Sequence, residues 1–285
     1  MDGKICVISG ATSGVGYHAA RRLAAGGAHI VMLCRNEEKA RRVQEELKET
    51  YGVKVDFFLA DFRRLSEVSR AAKEIGEEFP EIHVLVNNAG VFNKRRRLTP
   101  DGNEEVIQVI HLAAFLVTKI LTPCLKRAAP ARVIDISSEA HRFGGLNLND
   151  LNWSKRPYIG LRGYGAAKIA QILAVQEYAR RLEGSGVTVN AMHPGAVRTE
   201  IGMNNGILYR LYNRYILRWF LKDPALAGED LYYLAAAPEM QGVSGRFFNQ
   251  TIEEKPARYL LKPGLQQKIW EASEQLIAPY LEERK

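Results

Sequence analysis

Lys4-Ile-Cys-Val-Ile-Ser9-Gly10-Ala-Thr-Ser-Gly14-Val-Gly16 is the stretch on which the fold turns. An apolar, β-branched run breaks at Gly10 into a glycine-rich turn, and the amphipathic stretch Val15–Ala25 follows at once. Strand, turn and helix in that order put the turn at a helix amino terminus, where oriented N–H groups and the helix dipole attract phosphate. Glycines there permit the tight turn, the close approach of backbone to a pyrophosphate and tight packing of helix on strand. Gly10, Thr12, Ser13, Gly14, Val15 and Gly16 are therefore candidate contacts for a dinucleotide.

Outward from this unit the same alternation continues. Strands are expected at Lys4–Ser9, His29–Cys34, Val53–Ala60, Ile82–Val86, Arg132–Ile136 and Val187–Met192, with a seventh at the edge over Gly245–Asn249. Between them fall helical patterns at Glu37–Tyr51, Ser66–Phe79, Gly102–Leu121 and Gly165–Leu182. Near-continuous apolar strands joined by helices imply a parallel sheet covered on both faces. Right-handed crossovers make it an α/β, Rossmann-type doubly wound sheet with its ligand site at the carboxyl ends of the strands. With no internal repeat or linker, residues 1–285 are expected to form a single domain, 1–130 mainly binding cofactor and 131–285 carrying the catalytic and substrate-covering portion.

The bulk properties narrow the class. The composition, 46% hydrophobic and 25% charged, is that of a globular protein. Cys6, Cys34 and Cys124 are an odd set within apolar runs, which reads as free thiols of a reducing compartment. No CxxC or HExxH spacing occurs, so no metal is expected. A net charge of +8 favours anionic partners, such as a phosphorylated cofactor or an acidic membrane surface. Neither a signal peptide nor an apolar run of membrane-spanning length is expected, which points to a soluble, cytoplasmic protein.

At the end of the second strand stand Arg35 and Asn36. Where an NAD site carries an acid for the ribose hydroxyls, Arg35 would attract a 2′-phosphate and fork two hydrogen bonds to it. NADP(H), NADPH in its reduced form, is thus favoured over NAD(H). Asp61, followed by Phe62, comes after the third strand, where its carboxylate either accepts from the adenine amino group or caps the next turn.

Four further motifs follow later strands: Asn87-Asn88-Ala89-Gly90, Ser137-Ser138, Tyr164-Gly-Ala-Ala-Lys168 and His193-Pro194-Gly195. Together with Gly10-x-x-x-Gly14-x-Gly16, in this order, they resemble the short-chain dehydrogenase/reductase family over about the first 200 residues. The resemblance implies an enzyme in which Tyr164 exchanges a proton with the substrate oxygen and Ser138 hydrogen-bonds the same atom. Lys168 would hold the nicotinamide ribose and tune Tyr164. A spacing of four puts Tyr164 and Lys168 on one helix face, and a nearby ammonium favours the phenolate of a group whose ordinary pKa is near 10. Asn88, Ala89 and Gly90 would flank the adenosine ribose, Pro194, Gly195 and Val197 the nicotinamide, and Thr199 its carboxamide. His193 reads as structural.

One departure stands out. Many members carry an Asn in the helix after the fourth strand, where it holds a water in a proton relay from the Lys. In Val109-Ile110-His111-Leu112-Ala113-Ala114-Phe115 that place is taken by Ile110. Either His111 or a backbone carbonyl holds the water, or proton resupply is slow.

The interval from Ser138 to Tyr164 is twice the usual length, and holds Ala140-His141-Arg142-Phe143-Gly144 and Leu148-Asn149-Asp150-Leu151. It is similar to the retinol dehydrogenase-like branch, as are Leu33-Cys34-Arg35-Asn36, Ser244-Gly245-Arg246-Phe247-Phe248 and Lys268-Ile269-Trp270-Glu271-Ala272-Ser273. The likeness implies a lipophilic alcohol or carbonyl substrate: a retinoid, a lipid aldehyde or a ketone. In Ile207–Leu221 an aromatic stripe lies beside arginines, a pattern that suits a substrate cover, a peripheral membrane contact or a core helix with a basic face. Lys94-Arg95-Arg96-Arg97 is too short for a nucleic-acid site and reads as a solvated loop at the rim. Ile169, Ile172, Leu173 and Val175 fit either the core or a homodimer face. A competing reading is an NADP(H)-binding sensor or interaction protein with weak turnover, for which Ile110 is the sequence argument.

Overall fold

The computed structural model describes residues 1–195 and 223–281. Its strands are β1 Ile5–Ser9, β2 His29–Cys34, β3 Val55–Leu59, β4 Val84–Asn87, β5 Ala131–Ile136, β6 Val187–His193, β7 Phe247–Asn249 and β8 Ile252–Glu254. They form one sheet in the order β3-β2-β1-β4-β5-β6-β7-β8. Every pairing is parallel except that of β7 with β8. The expected edge strand is thus interior: β7 pairs with β6 on one side, and the antiparallel β8 closes the sheet.

The apolar runs read as continuous because successive side chains serve two cores. Val7, Val31, Leu33 and Leu85 enter the cluster on one face, and Cys6, Ile8, Ile30, Met32 and Val86 the cluster on the other. Helices α1 Gly14–Ala25 and α2 Glu37–Tyr51 cover the second face; α3 Leu65–Glu78 covers the first. Chain order reverses between β1 and β4, so the crevice that doubly wound sheets use for ligands opens at the carboxyl ends of those strands.

After β4 comes a continuous helical segment made of α4 Glu105–Ile107, a π-helical turn at Gln108–Leu112 and α5 Ala113–Arg127. The buried Glu104 side chain caps it, accepting from the N–H groups of Val106 (3.1 Å) and Ile107 (2.9 Å). The segment corrects the expectation that no run is long and apolar enough to span a membrane. Glu105–Arg127 has 23 residues, and its most apolar 18-residue window has a mean hydropathy of 1.7, but 78% of that window is buried inside the fold. It is apolar because the sheet lies on one side of it and α3 and α6 pack on others.

Helix α6, Gly160–Arg181, begins five residues before the expected Gly165, so Tyr164 stands inside the helix. Glycines at 160, 163 and 165 weaken the helix signal, yet each faces a close neighbour that a side chain would strike. Ile169, Ile172, Leu173 and Val175 are fully buried within the protein, so they do not supply a dimer face. Two helices had no clear sequence signal. α7, Pro224–Ala236, lies against α1, and α8, Leu265–Leu281, packs on α6 and α5.

Candidate active site

The glycine-rich turn joins β1 to α1 against the end of β4. Ser9 Oγ accepts from the N–H groups of Asn88 (2.9 Å) and Ala89 (3.0 Å), while Asn88 Nδ2 donates to the carbonyls of Ser9 (3.0 Å) and Gly10 (3.1 Å). A Cβ at Gly16 would sit 2.3 Å from Asn88 Nδ2 and 2.5 Å from Gly10 O, so only glycine lets the helix enter here. Asn88 thus serves the turn itself, and Ala89 and Gly90 continue from it. Ser13 is the N-cap residue of α1 and makes no side-chain cap bond to the first-turn N–H groups. Val15 turns its side chain onto Ala227 of α7, leaving its main chain to the turn.

The residues after β2 and β3 come next to the turn. Arg35 is exposed. Asn36 Oδ1 accepts from Lys39 N (2.8 Å) and so caps α2. Asp61 is taken up by its own turn: Arg63 donates to both of its oxygens, with Nη2 at 2.7 Å from Oδ2. Burial pushes the Asp61 carboxyl up, but the Arg63 hydrogen bonds and charge outweigh it and hold the group below its ordinary value. The carboxylate also caps the turn, accepting from Arg63 N (3.0 Å). Phe62 is buried in the core, so only its main chain faces the crevice.

Ser138 follows β5 and Tyr164 stands in the second turn of α6, with the Ser138 side chain near enough to the phenol to favour its phenolate. Phe92, after β4, meets the Tyr164 ring edge-on with centroids 5.9 Å apart. Lys168 lies one turn along α6, its Nζ 5.7 Å from the Tyr164 ring centroid. It is buried and donates to Ile136 O (2.5 Å) and Gln171 Oε1 (3.1 Å).

This geometry alters one expectation. Burial pushes the Tyr164 phenol up to about 12, with the Ser138 hydroxyl opposing, and pushes the Lys168 ammonium down to about 7, with Asp135 opposing. In the protein alone, desolvation of both groups outweighs any help from the ammonium to the phenolate. The phenol is therefore in its proton-donating form at neutral pH.

The loop after Ser138 is anchored by His141, which sequence reading did not single out. Its Nε2 accepts from Ala257 N (3.2 Å), so Nδ1 carries the proton and donates to Ser138 O (2.7 Å). The Tyr259 hydroxyl donates to the His141 carbonyl. Burial lowers the His141 pKa, which keeps this neutral tautomer. Replacing His141 with Ala orphans these buried groups, and urea unfolding should show a loss of about 2 kcal/mol. A midpoint equal to wild type would show that the anchor carries no weight.

The long interval to Tyr164 is knitted to itself. Asp150 accepts from Ser154 N (2.7 Å) and Oγ (2.9 Å), and Arg156 stacks over Trp153 at 3.6 Å while donating to Gly145 O (2.8 Å). Phe143, Ile159 and Leu161 are exposed along it, and a cavity of roughly 310 Å³ lies between Phe143, Trp153, Arg156 and Ile159. A cavity of about 760 Å³ is at the other end of the sheet, between Lys4, His83, Arg132 and Thr188, away from Tyr164. Lys94–Arg97 is an exposed loop, from which Arg96 donates to Asn152 O (2.6 Å).

Ile110 is fully buried in the π-helical turn. His111 Nε2 is hydrogen-bonded to Ser273 Oγ of α8 (2.7 Å), and burial drives its pKa down to about 3. The imidazole is therefore engaged with α8. Pro194 and Gly195 continue from β6, and His193 is half-buried, its Nδ1 buried without a hydrogen-bond partner among the described residues. Val197, Thr199 and Ile207–Leu221 lie outside the described residues.

A family model described as short chain dehydrogenase matches residues 4–207. Human retinol dehydrogenase 13 is 37% identical over 282 residues, covering 97% of this chain and 85% of that protein. Mouse retinol dehydrogenase 14 is 38% identical over 292 residues, covering 97% and 86%. Among solved structures, an uncharacterised protein from Mycobacterium paratuberculosis superposes with a TM-score of 0.79 at 30% identity, covering 97% of this chain and 94% of that one.

Proposed function

The chain belongs to the short-chain dehydrogenase family of nicotinamide-dependent oxidoreductases, and on that premise we propose that it is an NADP(H)-dependent reductase or dehydrogenase of a lipophilic carbonyl or alcohol. The observation that carries the reading is the Tyr164 phenol, beside Ser138 and one helix turn from the buried Lys168. They stand at the carboxyl end of β5, on the same side of the sheet as the glycine-rich turn.

The residues fit a dinucleotide. The first turn of α1 has no side-chain cap to compete with a pyrophosphate, and the close Gly16–Asn88 contact fixes the loop backbone that would cradle it. Gly10, Thr12, Ser13, Gly14, Val15 and Gly16 hold the phosphates, and Asn88, Ala89 and Gly90 the adenosine ribose. Asp61 and Phe62 border the adenine through their turn. Pro194, Gly195, Val197 and Thr199 border the nicotinamide. Lys168 has three donors and spends two inside the protein, which leaves one for the nicotinamide ribose. The cofactor supplies the hydride. In reduction, Ser138 donates to the substrate oxygen and Tyr164 gives it a proton; in oxidation, Tyr164 takes the hydroxyl proton. Phe92 presents an apolar edge to Tyr164, and exposed Phe143, Ile159 and Leu161 suit a greasy substrate, in keeping with relatives named retinol dehydrogenases. Monitoring NADPH consumption against retinal, other aldehydes and ketones tests the proposal. Turnover with apolar carbonyls supports it, and none with any member would favour a cofactor-binding sensor.

For NADP(H), the support is Arg35, exposed at the end of β2 where an acid would serve NAD(H). Asp61 does not oppose a 2′-phosphate, because Arg63 already matches its charge. Replacing Arg35 with Asp removes a forked, charge-assisted contact, and should lower the NADPH-to-NADH ratio of kcat/KM about 30-fold. An unchanged ratio would place the discrimination elsewhere.

A further inference from the structure

Lys168 is supported from behind by groups that the catalytic motifs do not include. Asp135, in the apolar strand β5, turns onto the sheet face covered by α5 and α6, and is buried. Its Oδ1 accepts from Asn87 Nδ2 (2.7 Å), its direct neighbour across β4 and β5, and Asn87 Nδ2 also reaches Thr118 Oγ1 of α5 (2.9 Å). Gln171, one turn beyond Lys168, is likewise buried. Its Oε1 accepts from Lys168 Nζ (3.1 Å), and its side chain favours the charged form of the Asp135 carboxyl. Gln171 thus neighbours both ammonium and carboxylate. An unpaired carboxylate in an apolar strand is costly, and retaining one here makes sense only against a buried positive charge.

We propose that Asp135 and Gln171 are positioning residues that anchor the Lys168 side chain and keep its ammonium charged, in the region where Ile110 offers no polar atom. The proposal rests on the catalytic reading of Tyr164 and Lys168 given above. Burial alone would strip the proton from Lys168, and Asp135 opposes it; burial in turn lifts the Asp135 carboxyl, opposed by Asn87, Lys168 and Gln171. The other titratable groups facing this cluster are Tyr164 and Tyr178 on α6 and His193 at the end of β6. A charged Lys168 stabilises the Tyr164 phenolate that alcohol oxidation requires.

The test follows the Lys168 Cε resonance by NMR in lysine-labelled protein, assigned by its loss in Lys168→Met. In Asp135→Asn, which keeps shape and removes charge, the Lys168 midpoint should fall by about one pH unit, a tenfold loss of proton affinity. Gln171→Met, which removes the acceptor of Lys168 and leaves the carboxylate, should move it the same way by less. It carries the test if Asp135→Asn fails to fold by circular dichroism. Midpoints unchanged in the folded variants overturn the proposal. In the kinetic arm, the acid limb of kcat/KM for alcohol oxidation should rise by a similar interval; a shifted resonance with an unmoved limb overturns the catalytic role. A shifted resonance in a protein that turns over no carbonyl or alcohol supports the pairing and defeats the proposed function, so the two failures are separable.

Discussion

Replacing Tyr164 with Phe is expected to lower carbonyl reduction by about three orders of magnitude, the scale of a lost general acid. NADPH binding, followed by its fluorescence, should stay within about threefold of wild type, since the ring itself remains. Phenylalanine keeps the edge contact with Phe92 and loses only the hydroxyl beside Ser138. The direction with pH follows from the environment. Burial holds the phenol up at about 12, so at neutral pH the proton is present for reduction, while oxidation must first remove it. In wild type, therefore, oxidation should rise with pH across the alkaline range, while reduction stays level there and falls only as pH nears 12. Retained turnover in Tyr164→Phe would remove Tyr164 from the mechanism, whatever the pH profile.

The parts of this site that were readable in the chain are those in which a local rule and a global position coincide. The glycine-rich turn, Asn88 and Ser138 each end an apolar strand, and a parallel sheet brings such ends to one edge without long-range information. Tyr164 and Lys168 needed only the helical period, although the start of α6 was hidden by glycines that exist for packing. The π-helical turn at Gln108–Leu112 had no signal, because every residue in it but Gln108 and His111 is an ordinary apolar one. Asp61 and Asn36 show the opposite limit. Their positions beside the crevice were legible, while their side chains turned out to serve Arg63 and the amino terminus of α2. The Asp135–Gln171–Lys168 cluster joins residues far apart in the chain. Its one available clue was a carboxylate inside the apolar strand Ala131–Ile136. His141 offered less still, since its partners Ala257 and Tyr259 come from a segment without regular structure in the sequence pattern.

Gly165→Ala tests how the long segment after Ser138 is coupled to the catalytic helix. A Cβ at position 165 would lie 2.4 Å from Ala140 O, 2.7 Å from Gly144 Cα and 2.8 Å from Gly144 N. All three are backbone atoms, so no flexible side chain can swing aside; either the loop or the helix must move. The loop is held by His141 through Ser138 O, Ala257 N and Tyr259, and the helix by Ile169, Ile172 and Leu173 in the core. The displacement therefore falls on the neighbours of the clash, Ser138 two residues before Ala140 and Tyr164 directly before Gly165. A shift of about 1 Å between a proton donor and its partner costs on the order of 100-fold in rate, and kcat should carry that loss. Helix propensity works the other way, since Ala is worth about 1 kcal/mol over Gly in a helix interior, so the loss cannot be ascribed to a weakened helix. Gly145→Ala is the matched control, because its Cβ would meet only Arg156 Nη1, at 3.7 Å, and its activity should stay near wild type. Equal kcat in the two variants would mean that the loop yields freely and does not hold Ser138 against Tyr164.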